Sequence, residues 1–167
     1  IIFGTNDSAI IGAPSVSDVK EDVDVVGSRL VATGSIAITD IDQGSAKLLT
    51  ITTPDVANWG NLSLASDGRY SYSVDNKLLA IQELREGETH IDYFSVSALD
   101  GTTKTVSFTI IGTNDSAVIG DPAAVTVTED TASINNQLMA SGSISIFDVD
   151  KGQAGFLTSV SSSADNL

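Results

Sequence analysis

Asn61-Leu62-Ser63-Leu64, then Asp67-Gly68, then Tyr70-Ser71-Tyr72-Ser73-Val74 is the stretch on which the fold class turns. Two runs alternate apolar and small polar residues, the two-residue period of a strand with one face buried. An Asp-Gly pair stands between them, and glycine readily takes the positive φ that tight hairpin turns need. The stretch predicts an antiparallel hairpin. On its C-terminal side, Leu78, Ile81 and Leu84 predict one or two helical turns within Asn76–Leu84. Thr89–Leu99 alternates again, Asp100-Gly101 reverses the chain, and Thr103–Ile111 places Val106, Phe108 and Ile110 on one face. On the N-terminal side, Leu48–Thr52 and Ala32–Thr39 read as strands, the latter with Ile36 and Ile38 pointing one way. Val16–Val26 reads as a broken first strand, with Glu21-Asp22 at the break.

About seven short strands separated by turn signals predict an all-β chain, a β-sandwich of immunoglobulin-like or cadherin-like type. Trp59, Tyr70, Tyr72, Phe94 and Phe108 are the expected core aromatics.

The chain also repeats itself. Gly4-Thr5-Asn6-Asp7-Ser8-Ala9 returns as Gly112-Thr113-Asn114-Asp115-Ser116-Ala117, a displacement of 108 positions (4 to 112). Glu21-Asp22 returns as Glu129-Asp130, and Asp40-Ile41-Asp42-Gln43-Gly44 as Asp148-Val149-Asp150-Lys151-Gly152. Residues 4–50 and 112–158 share 24 identities in 47 gapless positions. A period this long is one folded module. The expected domains are therefore 1–13, the end of a preceding repeat and its linker; 14–111, a full repeat; and 112–167, a linker and the first half of a second repeat. Such a half module is near the lower size limit for a self-sufficient core and is expected to lean on the first repeat or on another chain, or to be a piece of a longer protein.

Composition narrows the function. The 22 acidic residues outnumber the 8 basic ones, for a net charge of −14. Nucleic acid and anionic membrane surfaces are disfavoured as partners, because phosphates call for Lys/Arg clusters. No membrane-inserting run is present in the sequence. Hydrophobic residues at 41% argue against a disordered acidic tail. The absence of cysteine removes disulfides and thiolate metal sites.

Asp40 and Asp42 lie two apart just past a strand, so an extended backbone projects both carboxylates to one side. At about 5 Å and an effective dielectric of about 20, two carboxylates repel by roughly 3 kcal/mol. A divalent cation reverses the sign. Oxygen ligands without His or Cys point to Ca2+. Asn6-Asp7, Asn114-Asp115, Asp100, Glu21 and Glu129 are further candidates, although Asn-Asp and Asp-Gly pairs are also ordinary turn formers.

The series Glu21-Asp22, Gly34-Ser35-Ile36, Asp40-Ile41-Asp42-Gln43-Gly44, Trp59-Gly60-Asn61-Leu62, Asp67-Gly68-Arg69-Tyr70-Ser71-Tyr72, Gly87-Glu88-Thr89, Asp100-Gly101 and Gly112-Thr113-Asn114-Asp115 resembles the VCBS repeat. That family forms arrays in very large secreted bacterial proteins, many of them RTX-type adhesins. The resemblance implies a cadherin-like sandwich at the bacterial cell surface, with neighbouring repeats as partners and a role in adhesion and biofilm formation. Trp59 stands where the family more often has Tyr, and Ser116-Ala117 where it usually has Ala-Pro. The linker is also similar to the cadherin junction, which implies two calcium sites. One takes Asn6, Asp7, Asp40, Asp42 and Asp100. The other takes Glu21, Asn114, Asp115, Asp148 and Asp150, with Glu88 as a looser addition.

The leading expectation is thus a calcium-stiffened spacer. The alternative is a calcium-dependent carbohydrate-binding module, with extracellular polysaccharide as partner and Trp59 stacking on a sugar. An enzyme is disfavoured: the acidic pairs fall at expected module ends rather than around one cleft, and the lone His90 reads as a surface strand residue.

Overall fold

A computed structural model describes the chain except residues 43, 124, 130–132, 135–136, 160 and 162–167. Gln43 and Asp130, two members of the repeated motifs, therefore lie outside the described residues. The chain divides into two compact units, Ile1–Asn114 and Asp115–Leu167.

The first unit is a β-sandwich of two four-stranded sheets. Its strands are β1 (Ile10–Pro14), β2 (Asp18–Lys20), β3 (Arg29–Thr39), β4 (Thr53–Pro54), β5 (Asn61–Leu64), β6 (Arg69–Asp75), β7 (Thr89–Ser97) and β8 (Thr103–Ile111). One sheet runs β1-β3-β6-β5 and the other β2-β8-β7-β4. All pairings in the unit are antiparallel except β2 with β8. Alternation is the cause. Leu30, Ala32 and Ile36 of β3, Tyr70, Tyr72 and Val74 of β6, Phe94 and Val96 of β7, and Val106, Phe108 and Ile110 of β8 all point into one buried cluster. Tyr72 and Phe108 stack at 4.5 Å, and Tyr70 meets Phe108 edge-on at 5.3 Å, geometries that favour aromatic pairs beyond the area they bury.

The β5–β6 hairpin is the one expected. Gly68 closes its turn at φ 89°, and its N–H donates to the Ala65 carbonyl at 2.9 Å. A Cβ at this position would collide with the Ile36 carbonyl oxygen, so glycine is required on two counts.

Three expectations need correction. The first strand starts at Ile10 rather than Val16, and its break falls at Ser15–Ser17 rather than Glu21-Asp22. Pro14 lacks an N–H, and the β1–β3 register shifts between Ile11 and Pro14. Beyond Lys20, Asp22 and Asp24 take positive φ, so Val23–Val26 forms no strand. Leu48–Thr52 contributes a single bridge, Leu48 to Ala98, and the strand follows at Thr53. The helix α1 is one turn, Leu79–Gln82, within the expected Asn76–Leu84. Trp59 is half-buried, packed against the core rather than within it.

The second unit carries β9 (Val118–Ile119), β10 (Ser133–Ile134), β11 (Gln137–Leu138) and β12 (Ile146–Phe147). The pairing of β9 with β12 reproduces that of β1 with β3 at two positions. Ile119 pairs with Ile146 and Val118 with Phe147, as Ile11 pairs with Ile38 and Ile10 with Thr39. Among the described residues, no helix is long and apolar enough to cross a membrane.

The turn geometry yields a direct test. Gly68→Ala should lower the unfolding free energy by about 1–3 kcal/mol in urea titration; an unchanged midpoint would contradict the geometry.

Candidate functional site

The acidic residues at one end of the first unit are positioned by where its strands stop. As β3 ends at Thr39, Asp40 folds back so that its Oδ1 accepts the Asp42 N–H at 2.8 Å. The Asp42 Oδ2 in turn accepts the Asp7 N–H at 2.8 Å. Just past β7, Asp100 repeats the device: its Oδ1 accepts the Thr102 N–H and its Oδ2 the Ala9 N–H, both at 2.8 Å. Two loop carboxylates thus grip the incoming chain at residues 7 and 9. The grip leaves the Asp40 Oδ2 buried with no hydrogen-bond partner. An open recess lined by Asp7, Ser8, Ile10, Thr39, Asp40 and Ile41 adjoins it.

The second unit builds the same cradle. Asp150 donates its N–H to the Asp148 Oδ1 at 3.0 Å, and the Asp150 Oδ2 accepts the Asp115 N–H at 2.9 Å. Gln153 Nε2 adds a third bond, to the Asp150 Oδ2 at 3.2 Å. Asp150 is 1% exposed, yet its Oδ1 has no hydrogen-bond partner. A buried carboxylate oxygen left unpartnered is costly. Both cradles leave one, on the first aspartate of the pair in one unit (Asp40) and on the second in the other (Asp150).

Of the first expected ligand set, the structure links Asp7, Asp40 and Asp42 directly and ties Asp100 to the same segment through Ala9. Asn6 is exposed and turns its amide onto the Asp7 carbonyl, 2.8 Å away. The second set is divided between the two units. Asp115, Asp148 and Asp150 belong to one, Glu21 and Asn114 to the other. Glu21 is fully buried, where its Oε1 accepts Gln82 Nε2 and its Oε2 the Thr113 N–H, both at 3.0 Å. Asn114 donates its N–H to the Glu86 Oε2 at 3.1 Å. Glu88 is exposed and accepts the Arg85 N–H at 3.3 Å. Glu21 and Glu86 therefore fasten the chain leaving β8. Among the described residues, no three acidic or histidine side chains gather as a group that could hold a metal.

The Ala9 N–H, then the Thr102 N–H and hydroxyl, hold the Asp100 carboxyl below its ordinary value of 3.8. The Asn114 N–H, then Lys20, lower Glu86 in the same way.

Sequence reasoning missed a polar cluster elsewhere in the sandwich. Asp92 is fully buried on β7 and accepts the Trp59 N–H at 2.9 Å, the Gly60 N–H at 2.6 Å and the Tyr72 hydroxyl at 2.8 Å. His90 Nε2 lies 3.1 Å from the Asp92 Oδ1. The imidazole stacks on the Trp59 indole at 3.5 Å, nearly parallel, so His90 is a packed residue rather than a surface one. Burial first, then the bond to Asp92, pushes the Tyr72 phenol far above its ordinary range, which keeps it a donor. The signal was present in the sequence: Asp92 shares strand parity with Phe94 and Val96, the inward set.

No family model matches the chain, and no curated protein matches it.

Two outcomes follow from these bonds. Because Asp100 is favoured in its ionised form when folded, its contribution is present above a pH of about 4 and lost as pH falls through the lower folded value. The melting-point gap between the parent chain and Asp100→Asn should therefore narrow on acidification; a gap that widens would refute the assignment. Asp92→Asn faces an amide toward backbone donors and should cost about 2–4 kcal/mol in chemical denaturation; a loss below about 0.5 kcal/mol would show that the cluster is not stabilising.

Proposed function

We propose that the chain is a piece of a tandem array of cadherin-like spacer modules, stiffened by Ca2+, in a secreted bacterial surface adhesin of the kind the VCBS-repeat resemblance implies. Adhesion, biofilm formation and the cell-surface location belong to that reading. The single observation that carries it is the cradle built twice: a paired Asp-x-Asp, one carboxylate gripping the linker backbone and one buried oxygen left without a partner, in each unit.

The residues present fit a hard dication. All candidate donors are carboxylate or amide oxygens, and the buried Asp40 Oδ2 and Asp150 Oδ1 are the atoms that would gain most from a cation. Asp40 and Asp150 would offer those oxygens to it, and Asp7, Asp42, Asp115 and Asp148, which among the described residues are not gathered into a metal-holding group with them, would have to be drawn in by the ion. Calcium would supply positive charge that relieves the carboxylate repulsion and cross-links loop to linker. Because the linker is already aligned by Asp42 and Asp100, binding has little chain left to order, which favours a small entropic cost. The excess negative charge, −14, suits a chain in which cations offset part of the self-repulsion. Trp59 gives little support to the carbohydrate alternative, since one face of its indole is covered by His90.

Calorimetry with and without the ion tests the proposal. Ligand at about 100 times its dissociation constant stabilises by roughly 2.7 kcal/mol, about 10–20 °C in melting temperature for a domain of this size. Asp40→Asn should abolish that shift for the first unit. An identical melting curve in excess chelator and in millimolar calcium would reject the spacer mechanism.

A further inference from the structure

The outward faces of the two sheets in the first unit differ in chemistry. In the sheet β1-β3-β6-β5, Arg29, Arg69 and Asp75 stand at outward positions among serines and threonines. In the other sheet, β7 and β8 alternate so that Asp92, Phe94, Val96, Val106, Phe108 and Ile110 face the core. The opposite parity, the odd positions of 89–97 and 103–111, holds no charged side chain. Pairing aligns its hydroxyls across the strands: Ser97 opposite Thr103, Ser95 opposite Thr105 and Tyr93 opposite Ser107. None of these six hydroxyls makes a hydrogen bond among the described residues. In a chain of net charge −14, a neutral face lined with unused hydroxyls is a chemical distinction.

Beside β4 the face is dished. Thr53, Asp55, Tyr93, Ser95 and Thr105 are among the residues lining a recess of about 230 Å³. Tyr93 is 45% exposed, yet its main chain is held by two residues. Its carbonyl accepts the Asp55 N–H at 3.0 Å and Asn58 Nδ2 at 2.7 Å, and its N–H donates to the Asn58 Oδ1 at 2.8 Å. The ring is thus anchored at its base before any ligand arrives, which lowers the ordering cost of binding. Asp55 uses its Oδ1 on the Ala57 N–H at 2.9 Å, and its Oδ2 makes no hydrogen bond among the described residues.

We propose that this recess and the hydroxyl columns beside it bind a neutral glycan chain, independently of calcium. A hydroxyl both donates and accepts, and so does every hydroxyl of a sugar, so the columns match such a chain without calling for charge. Tyr93 offers an apolar ring with a polar tip to the mixed surface of a pyranose. Asp55 adds an ionised acceptor, the stronger kind of hydrogen-bonding group. Other partners fit less well. An anionic polymer is repelled by the charge of the chain and meets no cation on this face. An apolar protein surface finds only Ile91 and Tyr93 as exposed large apolar side chains, at 40% and 45%, too few for the apolar centre of an interface. The site shares no residue with either aspartate cradle, so it stands whether or not the cradles hold an ion.

Titration of the full chain in excess chelator, followed by amide chemical shifts, tests the proposal. The probes are maltohexaose, cellohexaose and mannohexaose, with oligoalginate as the anionic comparison. At least one neutral hexaose should saturate the amides of residues 93, 95, 105 and 107 with a Kd of about 1 mM or tighter, and oligoalginate should leave them unmoved. Tyr93→Ala should weaken that binding at least about 10-fold and Thr105→Val at least about 3-fold, with the amides of β3 and β6 unchanged as the check on folding. Thr105→Val keeps the shape and removes only the hydroxyl, so its loss reports the hydrogen bond rather than the fold. No shift at these amides with any of the hexaoses up to about 20 mM would overturn the proposal. So would equal binding of oligoalginate, shifts confined to the other sheet, or binding undiminished in both variants. A homodimer of the free chain, seen in sedimentation with the same amides protected, would assign the face to a second copy and would equally overturn it.

Discussion

The bond from a loop carboxylate to the linker's own backbone N–H is the constraint on which the rest depends. Asp42 to Asp7 in the first unit and Asp150 to Asp115 in the second set where the chain enters each module. A hydrogen bond to an ionised acceptor is about twice as strong as a neutral one. Here it uses one oxygen of the pair and strands another in a buried position, Asp40 Oδ2 or Asp150 Oδ1. The module end therefore carries carboxylate oxygens that its hydrogen bonds do not use.

Three other carboxylates are handled differently. Asp92, fully buried, is fully engaged by two backbone N–H groups, Tyr72 and His90. Glu21, equally buried, takes Gln82 and the Thr113 N–H, and Glu86 takes Lys20 and the Asn114 N–H. Asp92 joins the β5 side of the sandwich to β7, while Glu21 and Glu86 hold the exit from β8 against the helix segment. Buried acids in this chain thus serve chain placement, and the backbone amide is their commonest partner. Close packing enforces the same placement: a Cβ at Gly60, whose N–H binds Asp92, would press on the Tyr72 ring within 2.6 Å.

Much of this was legible in the sequence, and the failures have identifiable causes. The β5–β6 hairpin and β8 were read correctly because one face of each is buried, so period two is clean. Tyr70, Tyr72, Phe94 and Phe108 were placed in the core for the same reason. The first strand was misplaced because Ile10–Pro14 carries Gly12 and Pro14, residues that argue against strand, and tertiary pairing with β3 overrode them. Leu48 suggested a strand where only one bridge forms, because a single buried leucine in a short apolar run does not fix a ladder. Asp92 was passed over because a charged residue in a strand reads as solvent-facing, although its parity put it inside. The repeat disclosed both cradles through their spacing. It did not disclose that their carboxylates would be turned to hold backbone amides, since that depends on β1 beginning beside the end of β3.

The most direct measurement is the stoichiometry of calcium binding by titration calorimetry on the intact chain and on Asp40→Asn and Asp148→Asn. Two equivalent cradles predict one ion lost with each substitution, whichever is made first, at extracellular-type affinities of about 10⁻⁴–10⁻³ M. No heat of binding at any concentration up to about 10 mM, or a stoichiometry indifferent to both substitutions, would contradict the account.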